Sequence, residues 1–290
     1  MNSNRSNGDD IICRAIFNDG NAFKCLFNVV MTEIEKTVMV FSPNSIVIEF
    51  QNKSQNIIHN INIDITKIKD YYYNNVDADG NLVPNTLIGF ETKTMFAAVK
   101  NIGRNDSFEI IHKLNSQMIE VKPIPTTNSG TKHIFKVRIE QVDQSSIITN
   151  KSIKYPISPN LKINPKDFSL FISRCVTMKS DFVVFVIFKN GLIVRGIKAD
   201  GSELYYSSHG FNDGITEPAE YNKYRYKVPI HNIKALSKFV NVPAKNSMIE
   251  FYFEGTKDYQ VPIKLVSLIG PNCGTYTMYI NDMDSTPTNN

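Results

Sequence analysis

The sequence predicts an α+β fold of two similar domains, each built from two units in which a helix is followed by strands. Three observations support this. An apolar helical pattern near the start is followed by two strand patterns, the arrangement returns 145 residues later, and each half of the 290-residue chain holds a second unit of this kind. Each unit has only one helix among several strands and needs a partner to cover its core, so the repeat favours duplicated domains over a solenoid.

The first unit begins with the segment NAFKCLFNVVMTE. Its residues Phe23, Leu26, Phe27 and Val30 stand at the spacing i, i+3, i+4, i+7, which places them in one stripe along a helix. Two strand segments follow, VMVF and IVIEF, separated by the turn-forming residues SPNS. The unit is therefore predicted to be a helix, a strand, a turn and a strand.

The same spacing returns in KDFSLFISRCVTM, where Phe168, Phe171, Ile172 and Cys175 form the stripe. The step from Phe23 to Phe168 is 168 − 23 = 145 residues, half of the chain. Strand segments FVVFVIF and LIVRGI follow this helix. The second unit of each half reads TKTMFAAVKNIG before FEIIHKL and MIEVKPI, and HNIKALSKFVNV before MIEFYF and YQVPIKLV. The order of predicted elements thus repeats in both halves.

These patterns predict two domains of similar size, at residues 11–142 and 161–281. The polar stretch between them, residues 143–160, contains two prolines and has weak periodicity, as an interdomain connector would. The polar ends, residues 1–10 and 282–290, are predicted to be disordered. An extra loop, NNVDADGNLVPN, interrupts the first domain from Asn74.

Composition and spacing exclude several classes of function. The net charge of +4 is spread along the chain, and no signal peptide or membrane-length apolar run is present. The four cysteines form no CxxC pair and the five histidines are scattered, so neither a metal site nor a cofactor is expected. A calcium loop beginning at Asp77 would need a carboxylate where Ile88 stands. We therefore expect an intracellular binding protein with no catalytic residues.

The chain resembles the proliferating cell nuclear antigen (PCNA) family of DNA sliding clamps from about Cys13 to Ile280. The resembling segments are INIDITKIKDYYY, LIGFETKTMFAAVKNIGRNDSFEI, DFSLFISRCVTMKSDFVVFVIFKNGLIVRG with ADGSELYY, and VPIKLVSLIGPNCGTYTMYI. The connector segment QSSIITNKSIKY and the pI near 8.7 depart from the cellular clamps and favour a divergent member, with a viral source as one alternative.

The resemblance implies a DNA-clamp fold in which helices line the inside of a ring and sheets form the outside, usually as a homotrimer. It also implies that the ring encircles double-stranded DNA without sequence preference, tethers a replicative DNA polymerase and is loaded by a clamp loader. The expected location is the nucleus or, for a viral protein, a cytoplasmic replication site. Ring closure would pair the edge strands at HIFKVRIE, from His133, and ELYYSS, from Glu203.

Helix lysines and arginines would supply weak phosphate contacts inside such a ring. Lys93, Lys100 and Arg104 fall on one face of the second helix, opposite Phe96 and Val99. His231, Lys234 and Lys238 fall on one face of the fourth helix, and Lys24 and Arg174 are the candidates on the first and third. Taken alone, such a row is more often a solvated helix face; recurrence on repeated units favours DNA contact.

The resemblance also implies a groove that binds short peptides of partner proteins. The implied groove residues are Ile57, Ile58, Ile147, Tyr155, Tyr279 and Ile280. Core packing is the alternative for Ile57, Ile58 and Ile280. Two alternatives to the ring itself also stay open: a monomeric or dimeric processivity factor of the same fold that binds DNA directly, and a structural β-rich protein that does not bind DNA.

Overall fold

The computed structural model describes most of the chain, and the chain divides into two compact units. The described residues are 10–103, 105–126, 133–140, 154–188, 191–207, 225–229, 232, 236, 238, 247–253, 255–256, 259–270 and 273–281. The first unit comprises residues 1–50, 60–148 and 268–275, and the second comprises residues 51–59, 149–267 and 276–290. Each unit thus takes a short segment from the other half of the sequence.

The first half of the chain contains two helices and nine strands within the described residues. They are β1 (Ile11–Phe17), α1 (Gly20–Glu33), β2 (Lys36–Phe41), β3 (Ser45–Gln51), β4 (Ile57–Asp64), β5 (Asp70–Tyr73), β6 (Thr86–Glu91), α2 (Thr92–Val99), β7 (Ser107–Lys113), β8 (Met118–Ile124) and β9 (Phe135–Arg138). The predicted order of helix, hairpin, helix, hairpin is confirmed here.

The second half repeats this order. Its elements are β10 (Leu161–Ile163), α3 (Pro165–Met178), β11 (Phe182–Phe188), β12 (Gly191–Ile197), β13 (Glu203–Ser207), β14 (Arg225–Pro229), β15 (Ile249–Tyr252), β16 (Gly255–Thr256), β17 (Tyr259–Gln260), β18 (Ile263–Ile269) and β19 (Gly274–Ile280). Of the predicted fourth helix, the structure describes Asn232, Leu236 and Lys238, and all three are helical.

The sheets are mostly antiparallel. One has the order β5-β1-β7-β8-β9, another the order β13-β12-β11-β14, and β16 pairs with β17. The remaining strands follow one another as β10-β15-β18-β19 and as β4-β3-β2-β6. With few helices and mostly antiparallel strands, the chain has the α+β fold that the sequence predicts.

Helix α1 contains the predicted apolar stripe. Asp19 caps its first turn, because the carboxylate accepts a hydrogen bond from the backbone N–H of Ala22 at 2.9 Å. The four predicted stripe residues are all fully buried. Phe23 packs against Phe17 and Phe108, with ring centroids 4.3 and 5.4 Å away, so the stripe ties the helix to strands β1 and β7.

Helix α3 is the counterpart of α1 in the second unit. Both helices contain 14 residues, and their first residues, 20 and 165, are 145 positions apart. Asn164 caps α3 through Lys166 N–H, Pro165 occupies the first turn, and Lys179 ends the helix in the left-handed conformation at φ 57°. The predicted stripe of α3 is buried. The predicted structural repeat is therefore confirmed.

Gly274 marks a close approach of two backbones in the first unit. A Cβ atom added there would lie 2.3 Å from the carbonyl oxygen of Asn62 and 2.9 Å from the Cα of Ile63. Backbone atoms within a sheet cannot move aside cheaply, so strand β19 can run beside β4 at this point only with glycine.

We expect Gly274→Ala to lower the free energy of unfolding by about 1–3 kcal/mol because of this overlap. Urea denaturation followed by circular dichroism measures the loss. Thr275→Ala, at the next position and half-buried, is the matched control. Equal stability of the two variants would show that the strands have room at Gly274.

His59 and Tyr276 form a buried polar pair in the second unit. His59 Nδ1 lies 2.7 Å from the Tyr276 hydroxyl, and both side chains are fully buried. Burial disfavours the imidazolium and lowers the pKa of His59 from 6.5 to about 3. Because the unfolded chain binds this proton more readily, the stability contribution is complete above pH 6.5 and is lost as pH falls toward 3.

The pair predicts an acid-sensitive fold. Between pH 7 and pH 5, protonation of His59 in the unfolded chain alone should reduce the free energy of unfolding by about 2 kcal/mol. His59→Gln keeps a hydrogen-bonding side chain that does not titrate, and its stability should fall by about 2 kcal/mol less over this range. Urea unfolding at each pH measures both chains, and parallel pH profiles would exclude His59 as the cause.

Candidate functional site

Two lysines project from the solvent-exposed side of α2. Lys93 and Lys100 are exposed, with exposed Ala97 between them, whereas Met95 and Val99 are buried on the opposite side. The predicted one-sided arrangement of these two lysines is thus present. Arg104, the third cation predicted for this face, lies outside the described residues.

The solvent-facing side of α3 also carries cations, but it includes an exposed carboxylate, Asp167, in its first turn. Arg174 is exposed near its middle, and Lys166 and Lys179 are exposed at its two ends. Leu170 and Val176 are exposed on the same helix, so apolar surface interrupts the row. A duplex against such a face would meet separated cations, which suits loose phosphate contact better than tight binding.

The remaining candidate cations are less exposed or are not described. Lys24 is half-buried on α1. Lys238 is a partly exposed helical residue two positions beyond the buried Leu236. His231 and Lys234 lie outside the described residues. In the described part of the chain, the most accessible helix cations are therefore those of α2 and α3.

The implied peptide groove divides into buried and accessible residues. Ile57 and Ile280 are fully buried and Ile58 is 8% exposed, so the core-packing alternative applies to them rather than a groove role. On β19, Tyr276, Met278 and Ile280 point into the core, while Tyr279 points to the other face, as strand geometry requires. Ile280 and Tyr279 therefore cannot line one surface.

Tyr155 and Tyr279 are the two implied groove residues that the structure brings together. Their ring centroids are 5.9 Å apart, and both side chains are partly exposed. The Tyr155 hydroxyl donates a hydrogen bond of 2.9 Å to the carbonyl oxygen of Pro262 and so fixes the end of the connector against the start of β18. Ile147 lies outside the described residues.

Lys264 extends this surface and was missed by the sequence prediction. Its Nζ lies 5.3 Å from the ring centroid of Tyr155 and 4.8 Å from that of Tyr252, within the range of cation–π attraction. Tyr252 and Lys264 are direct partners in the β15–β18 pairing. We name Tyr155, Tyr252, Lys264 and Tyr279 the tyrosine–lysine cluster.

Electrostatics within the cluster depend on Glu250. Its carboxylate accepts hydrogen bonds from Lys162 at 2.7 Å and from the Tyr252 hydroxyl at 2.8 Å. Although burial opposes ionisation, these hydrogen bonds lower the pKa of Glu250. Burial and the bond to Glu250 raise the pKa of Tyr252 to about 12. Burial lowers the pKa of Lys264, partly offset by Glu250.

The next segment of the connector adds an apolar residue that the sequence prediction also missed. Ile157 is fully exposed two positions after Tyr155. The family resemblance placed Ile147 and Tyr155 in the groove, whereas an exposed apolar residue in a polar loop, such as Ile157, is a candidate anchor on physical grounds. The alternation of residues along β18 is enough to predict that Lys264 points away from the core. Its aromatic neighbours could not be predicted in this way, because they come from distant parts of the sequence.

The two strands predicted to pair between subunits are both at sheet edges. Strand β9 ends one sheet and exposes Lys136 and Arg138; strand β13 ends another. On β13, Glu203 accepts two hydrogen bonds of 2.6 Å from Arg195 and one from the Tyr205 hydroxyl. The hydrogen bonds from Arg195 and Tyr205 lower the pKa of Glu203 and keep it charged.

The described residues contain no group of three His, Cys, Asp or Glu side chains that could hold a metal ion. In the extra loop, Asp77 instead accepts hydrogen bonds from the backbone N–H groups of Asp79 and Asn81, as in a turn. No helix in the described segments is long and apolar enough to cross a membrane.

This duplicated architecture of paired helices and antiparallel sheets is the fold of the DNA clamps. More particularly, it is the fold of PCNA, as comparison with solved structures shows. The PCNA of Entamoeba histolytica is 11% identical, with a TM-score of 0.71 over 94% of this chain and 99% of that chain. That of Thermococcus kodakaraensis is 14% identical, with a TM-score of 0.68 over 93% and 99%.

A complex of PCNA2 with PCNA3 from Sulfolobus tokodaii is similar as well, at 17% identity and a TM-score of 0.69 over 93% of this chain and 99% of that chain. No protein-family model matches the sequence, and no curated protein matches it significantly. Near-complete coverage at low identity shows that the predicted fold is shared with these structures while the sequences differ widely.

Proposed function

We propose that this protein is a DNA sliding clamp: a closed ring of three copies that encircles double-stranded DNA and tethers a replicative DNA polymerase. The observation that carries the proposal is the PCNA fold over 93–94% of the chain, with nearly the whole of each compared structure covered. A protein of this kind needs no catalytic group, because it acts by topology and by binding.

The exposed helix cations support DNA passage through such a ring. Lys93 and Lys100 on α2 and Arg174 on α3 would face the phosphates, and each contact displaces counterions without selecting a sequence. The interrupted basic row of α3 makes these contacts few. Retention on DNA would therefore depend on ring closure, while the cations centre the duplex.

The edge strands β9 and β13 support ring assembly. They belong to different units and lie at the edges of their sheets in the described part of the chain, so β9 of one copy can pair with β13 of the next. Such a contact is head to tail and closes when the rotation between copies suits a ring. Because Glu203 on β13 is already paired with Arg195 of the same chain, Lys136 and Arg138 of β9 would add only a secondary charge attraction to the main-chain pairing.

The tyrosine–lysine cluster is the proposed contact site for the polymerase and for the clamp loader. Aromatic side chains with a partly exposed face and a fixed position are well suited to anchor a peptide. Tyr155 meets this condition through its hydroxyl bond to Pro262 and its ring contact with Tyr279.

Retention on DNA with open and closed ends tests the ring directly. After loading, the protein should leave linear duplexes through their free ends and persist on circular or end-blocked DNA of the same sequence. Gel filtration of loaded DNA, before and after linearisation with a restriction enzyme, measures this. Retention that does not depend on the ends would indicate direct binding by a monomer or dimer and would overturn the proposal.

Charge reversal tests the helix cations. The double variant Lys93→Glu/Lys100→Glu should weaken binding to end-blocked DNA and make the dependence of log affinity on log salt concentration shallower by about 0.9 for each lost contact. Lys53→Glu/Lys67→Glu changes two exposed lysines in turns and is the matched control, with an equal change in net charge. Equal effects of the two double variants would assign the binding to overall charge.

A further inference from the structure

Lys264 is a partly buried cation held by aromatic faces. Tyr252 flanks it from the neighbouring strand and Tyr155 covers it from the connector, at 4.8 and 5.3 Å from the ring centroids. Two aromatic faces attract an ammonium group and restrict its movement. The charge therefore occupies a defined position on the outer face of β18, and its burial gives it less water than a surface lysine has.

The charge of Glu250 acts on Lys264 but forms no ion pair with it. Glu250 is bound by Lys162 and by the Tyr252 hydroxyl. Within the described segments, no carboxylate oxygen lies within ion-pair distance of Lys264 Nζ. A partly desolvated cation without a paired anion gains more from an incoming carboxylate than a solvated surface lysine does.

The surroundings of Lys264 combine apolar surface with positive charge. Tyr279 contacts Tyr155, Ile157 is fully exposed, and Lys154 is exposed beside Tyr155. An apolar or aromatic side chain could pack on the tyrosines while an acidic neighbour reaches Lys264. A wholly apolar peptide would leave the cation further desolvated and still unpaired, which is unfavourable.

We propose that Lys264 is a specificity-determining residue that selects partner peptides carrying an Asp or Glu next to an apolar or aromatic anchor. The inference deepens the proposed clamp function and rests on it, because the peptide would be a segment of a replication protein recruited to the ring. The anchor binds the tyrosines, and the carboxylate pairs with the ammonium group of Lys264.

Selection of random-sequence peptides displayed on phage, against the immobilised full-length chain, provides the probe. The selected sequences should be enriched in Asp or Glu beside an aromatic or large apolar residue. The best peptide is then synthesised in its acidic form and with Asn or Gln replacing the acid. On the unaltered chain, the acidic form should bind about tenfold more tightly, the gain expected of one charge-assisted contact.

Variants of the chain assign this preference to Lys264. Lys264→Met keeps the apolar stem and removes the charge, so it should lose the tenfold preference while binding the amide peptide unchanged. Lys264→Arg should keep the preference, and Tyr155→Ala should weaken both peptides. Lys53→Met, a change at an exposed turn lysine, is the control. If Lys264→Met does not fold, the two peptides are compared on the unaltered chain at low and high salt. The acidic peptide should lose its tighter binding at high salt, because salt screens the pairing of its carboxylate with Lys264.

Equal binding of the acidic and amide peptides would overturn the inference. So would displacement of the acidic peptide by a short DNA duplex from the Lys93→Glu/Lys100→Glu variant, because that result would assign Lys264 to nucleic-acid binding. The experiment with end-blocked DNA tests the clamp function separately from the peptide preference of Lys264. End-independent retention together with a preserved acidic preference would overturn the clamp and leave a peptide-binding site.

Discussion

Burial of a single apolar stripe on each helix is the constraint on which the rest of the structure depends. In α1 and α3 the stripe has the same four positions, and every one of them is buried against strands. A helix that buries one side exposes the other side to solvent. Burial of the stripe therefore determines which side chains are available for binding. Lys93, Lys100 and Arg174 are exposed because they lie on the sides of their helices that face away from the buried residues.

The strands obey the corresponding rule with a period of two. On β18 the alternation buries Ile263 and Leu265 and turns Lys264 outward; on β19 it turns Tyr279 outward between Met278 and Ile280. Our proposal assigns the helix cations to DNA and the mixed aromatic and basic surface of the sheets to protein partners. In the proposed clamp, one packing arrangement thus serves two kinds of binding.

Much of the fold could be predicted from the sequence because its determinants are local. The spacing of Phe23, Leu26, Phe27 and Val30 specifies a helix without reference to the rest of the chain, and its recurrence identifies the repeat. Which side of β4 faces the core was harder to predict, because Ile57, Ile58 and His59 are buried in succession and show no alternation. For Ile280, alternation along β19 already separates it from Tyr279, and the family resemblance alone had placed them together.

The candidate site was predictable only in part, because its contacts join distant positions. Tyr155 meets Tyr279 and Lys264 through the tertiary fold, and no spacing in the sequence relates these residues. The exchange of residues 51–59 and 268–275 between the units is likewise invisible to a repeat analysis of the sequence. Helix periodicity, in contrast, sufficed to place Lys93 and Lys100 together on one exposed face.

The mass of the purified chain in solution tests the central claim most directly, because a clamp of this design acts by closing a ring. Analytical ultracentrifugation should find a species with three times the mass of the chain, and Lys136→Glu/Arg138→Glu on the β9 edge should shift it toward the monomer. A stable monomer at every concentration in the absence of other proteins would contradict the homotrimeric ring.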